Sequence, residues 1–176
     1  MCVRFVWSIF ILYMALEIER KFLVKDDTYK KMATTHVRIK QGYICSQHGR
    51  TVRVRLTNRT AYLTIKGPSH DGGLTRYEFE KEISFDEGLS LFSLCEPGVV
   101  DKNRWYVPVG EHVFEVDEFF GENQGLVVAE VELKSAEETF EIPSFLHTEV
   151  TGDRKYYNSS LRLHPYSKWS GEENRS

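Results

Sequence analysis

Charged side chains recur at every second position along several short segments of the sequence. Glu17, Glu19 and Lys21 form the first such series. Further series have the same spacing: Arg53 with Arg55, Arg76 with Glu78, Glu80 and Glu82, Lys102 with Arg104, Glu115 with Asp117, and Glu130 with Glu132. Successive side chains of a β-strand point to opposite faces, so each series is expected to occupy one face of a strand.

Many of these charges come as pairs of one sign, and the residues between them are mostly apolar. An antiparallel sheet often has one polar face exposed to water, and this is an adequate explanation for any single strand. For the whole set we favour a charged lumen, where like charges need a compensating ligand because their desolvation is costly. Carboxylate pairs can share a divalent cation, and Arg or Lys pairs can hold a chain of phosphates. Oxygen ligands favour Mg²⁺ or Mn²⁺, so the pattern predicts a metal-complexed phosphate chain as the ligand.

Alternation of apolar and polar residues predicts eight strands that position these charges. They span residues 16–24, 38–45, 50–57, 60–67, 75–84, 101–108, 112–120 and 126–134. Turns are expected at Asn58-Arg59, from Gly67 to Gly73, and at Val109 to Glu111. Eight strands with few helices predict a mainly β (α+β) fold: an eight-stranded antiparallel closed barrel with a few helices packed outside.

Four short helices are expected between or after the strands. Ser84 and Glu87 have capping-box spacing ahead of a helix that Pro97-Gly98 terminates. Ser135 and Glu138 have the same spacing before a segment that Pro143 terminates. The other two helices are expected around Lys30 and over 153–162.

The composition excludes several classes of protein. The 176 residues include 23 basic and 26 acidic side chains, a net charge of -3, which argues against a nucleic-acid binder that relies on net charge. An aromatic content of 13% argues against disorder. Cys2, Cys45 and Cys95 lack paired spacing, and the six histidines lack ligand spacing. We therefore predict free thiols in a reducing, cytoplasmic setting and no zinc site.

Residues 3–16 are almost wholly apolar, with Arg4 as the only charge. The run is shorter than the roughly 20 apolar residues of a membrane-spanning helix, and residues 13–15 are a poor signal-peptide cleavage site. We favour translation from Met14, which makes 1–13 an extension, and a signal-like segment or a membrane contact stays the alternative. The remaining chain is interpreted as one domain over 14–166 and a polar tail over 167–176.

The ordered motifs resemble the CYTH domain, the triphosphate tunnel metalloenzyme superfamily. Glu17 to Val24 resembles its E-x-E-x-K opening and is similar to that of the bacterial inorganic triphosphatases. The resemblance continues in order through Gln41-Gly42-Tyr43, Arg53-x-Arg55, Thr64-x-Lys66, Arg76-x-Glu78-x-Glu80, Lys102-x-Arg104, Glu115-x-Asp117, Glu130-x-Glu132 and Glu149 to Asp153. It covers about residues 16 to 163 and implies a triphosphate bound inside an eight-stranded tunnel.

The resemblance also implies roles for individual residues. The expected phosphate-binding residues are Arg53, Arg55, Lys66, Arg76, Lys102 and Arg104, with Lys155 closing the tunnel. The expected metal ligands are Glu17, Glu19, Glu130 and Glu132, with Asp117 and Glu115 nearby. Lys21 is expected to contact phosphate or to order the carboxylates. Glu78 or Glu80 is the candidate that orients the attacking water, and a structural role for these two stays open.

The leading hypothesis is the metal-dependent hydrolysis of inorganic triphosphate to pyrophosphate and phosphate, with Mg²⁺ or Mn²⁺. A class IV adenylate cyclase or another nucleoside or thiamine triphosphatase is the enzymatic alternative. A cyclase also needs a slot for adenine, and Tyr43, Tyr62 and Tyr77 are the aromatic candidates for stacking on a base. The non-enzymatic alternative is a polyphosphate-binding module. No nucleic-acid partner is expected, and the protein is predicted to be a monomer or a homodimer.

Overall fold

The computed structural model describes residues 16–70 and 75–171. The predicted extension over 1–13 lies outside these residues, as do Gly72 and Gly73 of the turn predicted from Gly67 to Gly73. Within the described ranges, no helix has the length and apolarity needed to cross a membrane.

The described residues form nine strands. They are β1 (Leu16–Val24), β2 (Thr35–Gln47), β3 (Arg50–Leu56), β4 (Ala61–His70), β5 (Thr75–Ile83), β6 (Val100–Val109), β7 (His112–Phe119), β8 (Val127–Leu133) and β9 (Leu146–Glu149). The first eight confirm the strands predicted from alternation. Strand β4 extends past Gly67 to His70, and a shift in its pairing with β5 falls between Lys66 and Ser69. The predicted Gly67-Pro68 connection is therefore an irregularity within a strand.

The strands follow the order β5-β4-β3-β2-β6-β7-β8-β1-β9, with every neighbouring pair antiparallel. Strand β1 pairs with β8 along one edge, and β5 and β9 share its other edge. The β1–β5 seam joins residues 16–18 to residues 75–77, so that β5 at one end of the sheet order pairs with β1 near the other end. The sheet thus curls around a tunnel, as predicted, with a short seam.

The helices are short and lie outside the sheet. They are α1 (Thr28–Met32), α2 (Phe85–Phe92), α3 (Asn158–Leu161) and three 3-10 turns at Gly121–Asn123, Arg154–Tyr156 and Tyr166–Gly171. The capping box of α2 is confirmed, since Ser84 Oγ accepts the Glu87 N–H at 3.2 Å and Glu87 accepts the Ser84 N–H at 2.9 Å. The predicted helix over 153–162 is present as one 3-10 turn followed by α3.

The helix predicted after Ser135 is wrong. The Glu138 carboxylate accepts the N–H of Lys134 and contacts His112 Nε2 at 3.2 Å, so this segment forms a turn. It continues without regular structure to β9 and places Phe140 and Phe145 against the outer face of β7. An irregular cover therefore does the packing that a helix was expected to do.

The apolar side chains of the strands face outward into this cover. Phe114 and Val116 of β7 are fully buried, while their neighbour Glu115 faces the tunnel. Trp169 is also buried and packs edge-on against Tyr156 and Tyr166. The packed chain thus extends past residue 166, where the domain was predicted to end.

Candidate active site

The tunnel encloses a cavity of about 610 Å³ whose wall is made mostly of charged side chains. The predicted site residues that line it are Lys21, Arg53, Arg55, Lys66, Arg76 and Arg104 among the cations, and Glu19, Glu78, Glu80, Glu115, Glu130 and Glu132 among the carboxylates. They come from seven strands, β1 and β3 to β8. The shared inward face of the curled sheet brings them together, as strand alternation requires.

Strands β1, β8 and β7 form an acidic wall. Glu19 lies directly opposite Glu132, and Glu130 lies directly opposite Glu115. Like charges in directly opposite positions destabilise a sheet. Three cations compensate them: Lys21 Nζ is 2.8 Å from the Glu130 carboxylate, Arg76 Nη2 is 2.9 Å from that of Glu19, and Arg104 forms ion pairs with Glu115 and Glu130. The acidic wall is therefore held in place by two residues that were expected to bind phosphate and by Lys21, which was expected to contact phosphate or to order the carboxylates.

Lys21 is the central cation of the acidic wall and is 5% exposed. Burial by itself lowers its pKa, but the neighbouring carboxylates of Glu130 and Glu19 outweigh burial and raise it. Burial would likewise raise the pKa of Glu130, yet Lys21 and Arg104 hold that pKa well below its usual range. Both groups are consequently charged at neutral pH.

The backbone of Lys21 anchors the segment that follows β9. Its N–H donates to Thr151 Oγ1 at 3.0 Å, and its carbonyl accepts the Val150 N–H at 2.8 Å. Further along this segment, the Tyr157 ring lies over the Lys21 ammonium, with 5.2 Å between Nζ and the ring centroid. One residue thus connects the acidic wall to the chain that crosses one end of the tunnel.

Strands β3, β4 and β5 form the opposite wall, where cations and carboxylates alternate. Arg53 Nη2 is 3.6 Å from Glu78 and 3.8 Å from Glu80, and Arg55 and Lys66 also form ion pairs with these carboxylates. The Nε atoms of Arg53 and Arg55 are buried and have no hydrogen-bond acceptor among the described residues. Two buried donors that point at no acceptor indicate a place where an anion would gain hydrogen bonds.

Charge on this second wall is not fully balanced. The pKa of Arg55 is lowered by burial and by the nearby Arg53 and Arg104 guanidinium groups. Burial would raise the pKa of Glu80, but Arg55 and the Thr64 hydroxyl, which donates at 2.7 Å, lower it. Glu80 therefore stays ionised in a fixed orientation, and an additional anion would relieve the crowding of the guanidinium groups.

Lys102 and Asp117 share the inward face with the site residues but do not line the cavity. Each is 1% exposed, and they form an ion pair with each other. Asp117 also accepts two bonds of 2.7 Å from Nε and Nη2 of Arg104. Burial and the neighbouring Arg104 lower the pKa of Lys102 to about 8. The structure thus encloses these two residues beneath the site instead of placing them at its surface, where the sequence predicted a phosphate ligand and a metal ligand.

Two further predicted residues are not among the described residues of the cavity wall. Lys155 is exposed, and its Nζ lies 4.1 Å from the centroid of the Trp169 ring instead of lining the tunnel. Glu17 pairs with Arg76 in the β1–β5 seam, and its side chain is outside the described part of the structure.

Several lining residues were missed or were given no role from sequence. They are Thr51, Tyr106, Tyr157, Asn158 and Ser159. Strand alternation could have found Tyr106, which is two residues beyond Arg104. Strand alternation could not have placed Tyr157 or Asn158, because they lie at the start of the four-residue helix α3 and not on a strand.

Within the described residues, no three of the His, Cys, Asp and Glu side chains are arranged to hold a metal ion. The carboxylates of the acidic wall form ion pairs with Lys21, Arg76 and Arg104 instead. Their chemistry still fits a hard divalent cation, since the donors are oxygens and Glu19 and Glu132 face each other across neighbouring strands at the cavity. Binding such an ion would require these carboxylates to exchange their cationic partners.

Comparison with known proteins agrees with this geometry. The CYTH domain family model matches residues 15–161. The chain is 43% identical over 157 residues to an inorganic triphosphatase of Acetivibrio thermocellus, covering 89% of this chain and 99% of the relative. It is 34% identical over 152 residues to an inorganic triphosphatase of Nitrosomonas europaea, covering 84% of this chain and 97% of that one. The crystal structure of an inorganic triphosphatase superposes with a TM-score of 0.57 at 29% identity, over 84% of this chain and 94% of that chain. The chain belongs to the CYTH domain family.

Proposed function

We propose that this chain hydrolyses inorganic triphosphate to pyrophosphate and phosphate inside the tunnel, with Mg²⁺ or Mn²⁺ as cofactor. The observation that carries the proposal is the cavity wall itself, where buried guanidinium donors without acceptors lie opposite a row of carboxylates. Both curated relatives described above are inorganic triphosphatases.

Phosphate binding is assigned to the cations of the second wall and its neighbours. Arg53 and Arg55 supply the unfilled Nε donors, and a guanidinium group can bind phosphate oxygens in a bidentate manner. Lys66, Arg76 and Arg104 line the same cavity and add positive charge. Charge-assisted bonds to the terminal phosphate would stabilise negative charge that develops on the phosphoryl oxygens during transfer.

The metal ligands are assigned to the acidic wall. Glu19, Glu130 and Glu132 line the cavity there, with Glu115 beside Glu130, and Glu17 precedes them on β1. A divalent cation bound by these carboxylates would neutralise phosphate charge and lower the pKa of a bound water. Lys21 holds Glu130 at 2.8 Å, so its role is to position this carboxylate while it remains within reach of an anion in the cavity.

Water orientation is assigned to Glu78 or Glu80. Glu80 has the more defined setting, because Thr64 and Arg55 both donate to it and its pKa is lowered. An ionised carboxylate in a fixed orientation can accept a proton or a hydrogen bond from an attacking water.

The decisive experiment measures phosphate, pyrophosphate and cyclic AMP released from triphosphate or ATP, with Mg²⁺, Mn²⁺ or EDTA. We expect pyrophosphate and phosphate from triphosphate only when a metal is present. Arg53→Gln should raise KM and reduce turnover, and Glu19→Gln should abolish turnover. Arg59→Gln, an exposed arginine in the β3–β4 turn, is the matched control and should behave like the native protein.

The alternatives predict different products. Cyclic AMP from ATP without phosphate release would identify a cyclase. Tight binding of triphosphate without any product would identify a polyphosphate-binding module. Full activity of Glu19→Gln would remove Glu19 from the metal site.

A further inference from the structure

One edge of β1 lacks a strand partner over a short stretch between β5 and β9. On that edge β5 pairs with residues 16–18, and β9 pairs with Phe22 and Val24. Residues 19–21 have no ladder partner on this edge among the described strands, although β8 pairs with them along the other edge. Because a buried backbone N–H or C=O is costly to leave unpaired, this stretch needs partners from outside the ladder.

The chain after β9 supplies these partners at Lys21. The Val150 N–H donates to the Lys21 carbonyl at 2.8 Å, and Thr151 Oγ1 accepts the Lys21 N–H at 3.0 Å. Gly152 follows with a φ of 77°, a left-handed conformation that favours glycine and ends the extended course of the chain. The Thr151 hydroxyl thus takes the place of the carbonyl that a longer β9 would have offered to Lys21.

A second hydrogen bond fixes the direction of the Thr151 hydroxyl. Thr151 Oγ1 donates to Glu149 Oε1 at 2.7 Å, and the Glu149 carboxylate also accepts from Nε of Arg20 at 2.8 Å and from its Nη2. Because the hydroxyl proton is used in this way, the oxygen is left to accept, which the Lys21 N–H requires. Arg20 and Lys21 are neighbours on β1 with side chains on opposite faces. One network therefore holds this part of β1 both at its edge and from its outer face.

The backbone position of Lys21 matters because its side chain has a narrowly defined place on the acidic wall. Nζ lies 2.8 Å from the Glu130 carboxylate and 3.9 Å from that of Glu19, and the centroid of the Tyr157 ring is 5.2 Å away. A shift of the backbone would lengthen at least one of these contacts. At catalytic sites a misplacement of about 1 Å can cost on the order of a hundredfold in rate.

We infer that Thr151 is a positioning residue for the reaction, acting through the backbone of Lys21 on the Lys21 ammonium group and its two carboxylate partners. The inference rests on the proposed function, which assigns those carboxylates to the metal and keeps Lys21 within reach of the phosphates. Thr151 itself is not among the described residues of the tunnel wall, so its effect on the reaction passes through Lys21.

The test compares native protein with Thr151→Val, which removes the hydroxyl at similar volume, and with Thr151→Ser, which keeps it. Thr151→Ala removes the same hydroxyl and provides a second, independent measurement. Thr148→Val is the matched control, because Thr148 is exposed on β9 and its hydroxyl contacts the neighbouring His147. All variants are assayed with triphosphate and Mg²⁺ at a temperature where circular dichroism shows them folded.

We expect kcat of Thr151→Val and Thr151→Ala to fall about tenfold, because the Lys21 N–H loses its acceptor and the ammonium group loses its exact position. KM for triphosphate should change by less than about threefold, because the cations of the second wall are not touched. Thr151→Ser and Thr148→Val should stay within about twofold of native kcat. A role in stability alone would leave kcat of the folded variants unchanged.

Amide hydrogen exchange, followed by NMR without substrate or metal, tests the inference independently of turnover. The Lys21 amide should exchange about tenfold faster in Thr151→Val than in native protein, Thr151→Ser and Thr148→Val, while the amides of the β1–β8 ladder keep their rates. An unchanged Lys21 rate in Thr151→Val would overturn the inference.

The kinetic outcomes separate this inference from the proposed function. Native protein that hydrolyses triphosphate, together with native kcat in Thr151→Val, would refute the role of Thr151 alone. A loss of kcat that Thr151→Ser shares in full would refute it as well, because the serine keeps the hydroxyl. Absence of hydrolysis in native protein would instead refute the proposed function, and with it the role of Thr151 in that reaction.

Discussion

Asp117 tests whether a residue that was expected at the metal site stabilises the fold instead. The family resemblance implies a metal-site residue at this position, whereas the structure encloses its carboxylate between Lys102 and Arg104. Asp117→Asn removes the negative charge and leaves two buried cations beside a neutral amide. Removing one partner of a buried ion pair costs about 3–5 kcal/mol, so we expect the free energy of unfolding to fall by about that amount.

Lys102→Met is the matched control. It removes the opposite charge at similar volume, while both oxygens of Asp117 keep their 2.7 Å bonds from Arg104. Replacing a buried charge with an apolar side chain is often nearly neutral when the remaining groups stay paired. We therefore expect a loss of less than about 1 kcal/mol, well below that of Asp117→Asn.

Urea unfolding followed by circular dichroism measures the midpoint and the slope for both variants. Phosphate release from triphosphate is measured at a temperature where each variant is folded. The reasoning would be refuted if Asp117→Asn kept native stability and lost all activity, since that result would place Asp117 among the metal ligands. It would also be refuted if Lys102→Met were as unstable as Asp117→Asn.

Two more predictions test the cover and the β1–β9 junction. Gly88→Ala in α2 should lower the free energy of unfolding, measured in urea, by about 1–3 kcal/mol through overpacking, because the new Cβ would lie 2.2 Å from Ala61 Cβ. The control is Ser90→Ala at an exposed position of the same helix. A Gly88→Ala variant more stable than the native protein would contradict this packing. Glu149 accepts a hydrogen bond from Arg20 Nε at 2.8 Å, and its pKa is lowered in the folded state. Its contribution to the free energy of unfolding is therefore present above its pKa in the unfolded chain and is lost as pH falls through its pKa in the folded chain. Glu149→Gln should therefore make the free energy of unfolding fall less steeply toward acid pH, as followed by thermal unfolding at several pH values. The difference should be less than about 1 kcal/mol because the pair is about one-third exposed. An unchanged pH dependence would contradict this.

Strand alternation predicted the fold and most of the cavity wall because it assigns every second residue to one face. It could not predict depth along the tunnel, and Lys102 and Asp117 show this limit: they share the inward face with Arg104 but lie beneath the cavity. The spacing of a capping box also does not show which tertiary contacts its residues make. The same spacing starts a helix at Ser84 and forms a turn at Ser135, where Glu138 is used by Lys134 and His112 instead.

The alternation of apolar and polar residues could not predict the short or irregular segments. Strand β9 has four residues, too few for alternation to distinguish it from a loop, and its pairing depends on the free edge of β1 beyond the β5 seam. Tyr157 lines the tunnel cavity because the chain after β9 is anchored to the backbone of Lys21. Such positions follow from tertiary contacts, which a single sequence does not encode as a period.

The net charge of -3 conceals a tunnel in which cations and carboxylates neutralise one another. Triphosphate binding alone would draw Lys21 and Arg76 away from Glu130 and Glu19 and weaken the compensation of the acidic wall, where Arg104 is a further partner of Glu115 and Glu130. A divalent cation alone would displace the same two side chains from these carboxylates. When both bind, the phosphates take the cations and the metal takes the carboxylates, so no buried charge is left unpaired. Because uncompensated buried charge is costly, the proposed triphosphate and metal would bind cooperatively, and by linkage each would raise the affinity of the site for the other by the same factor.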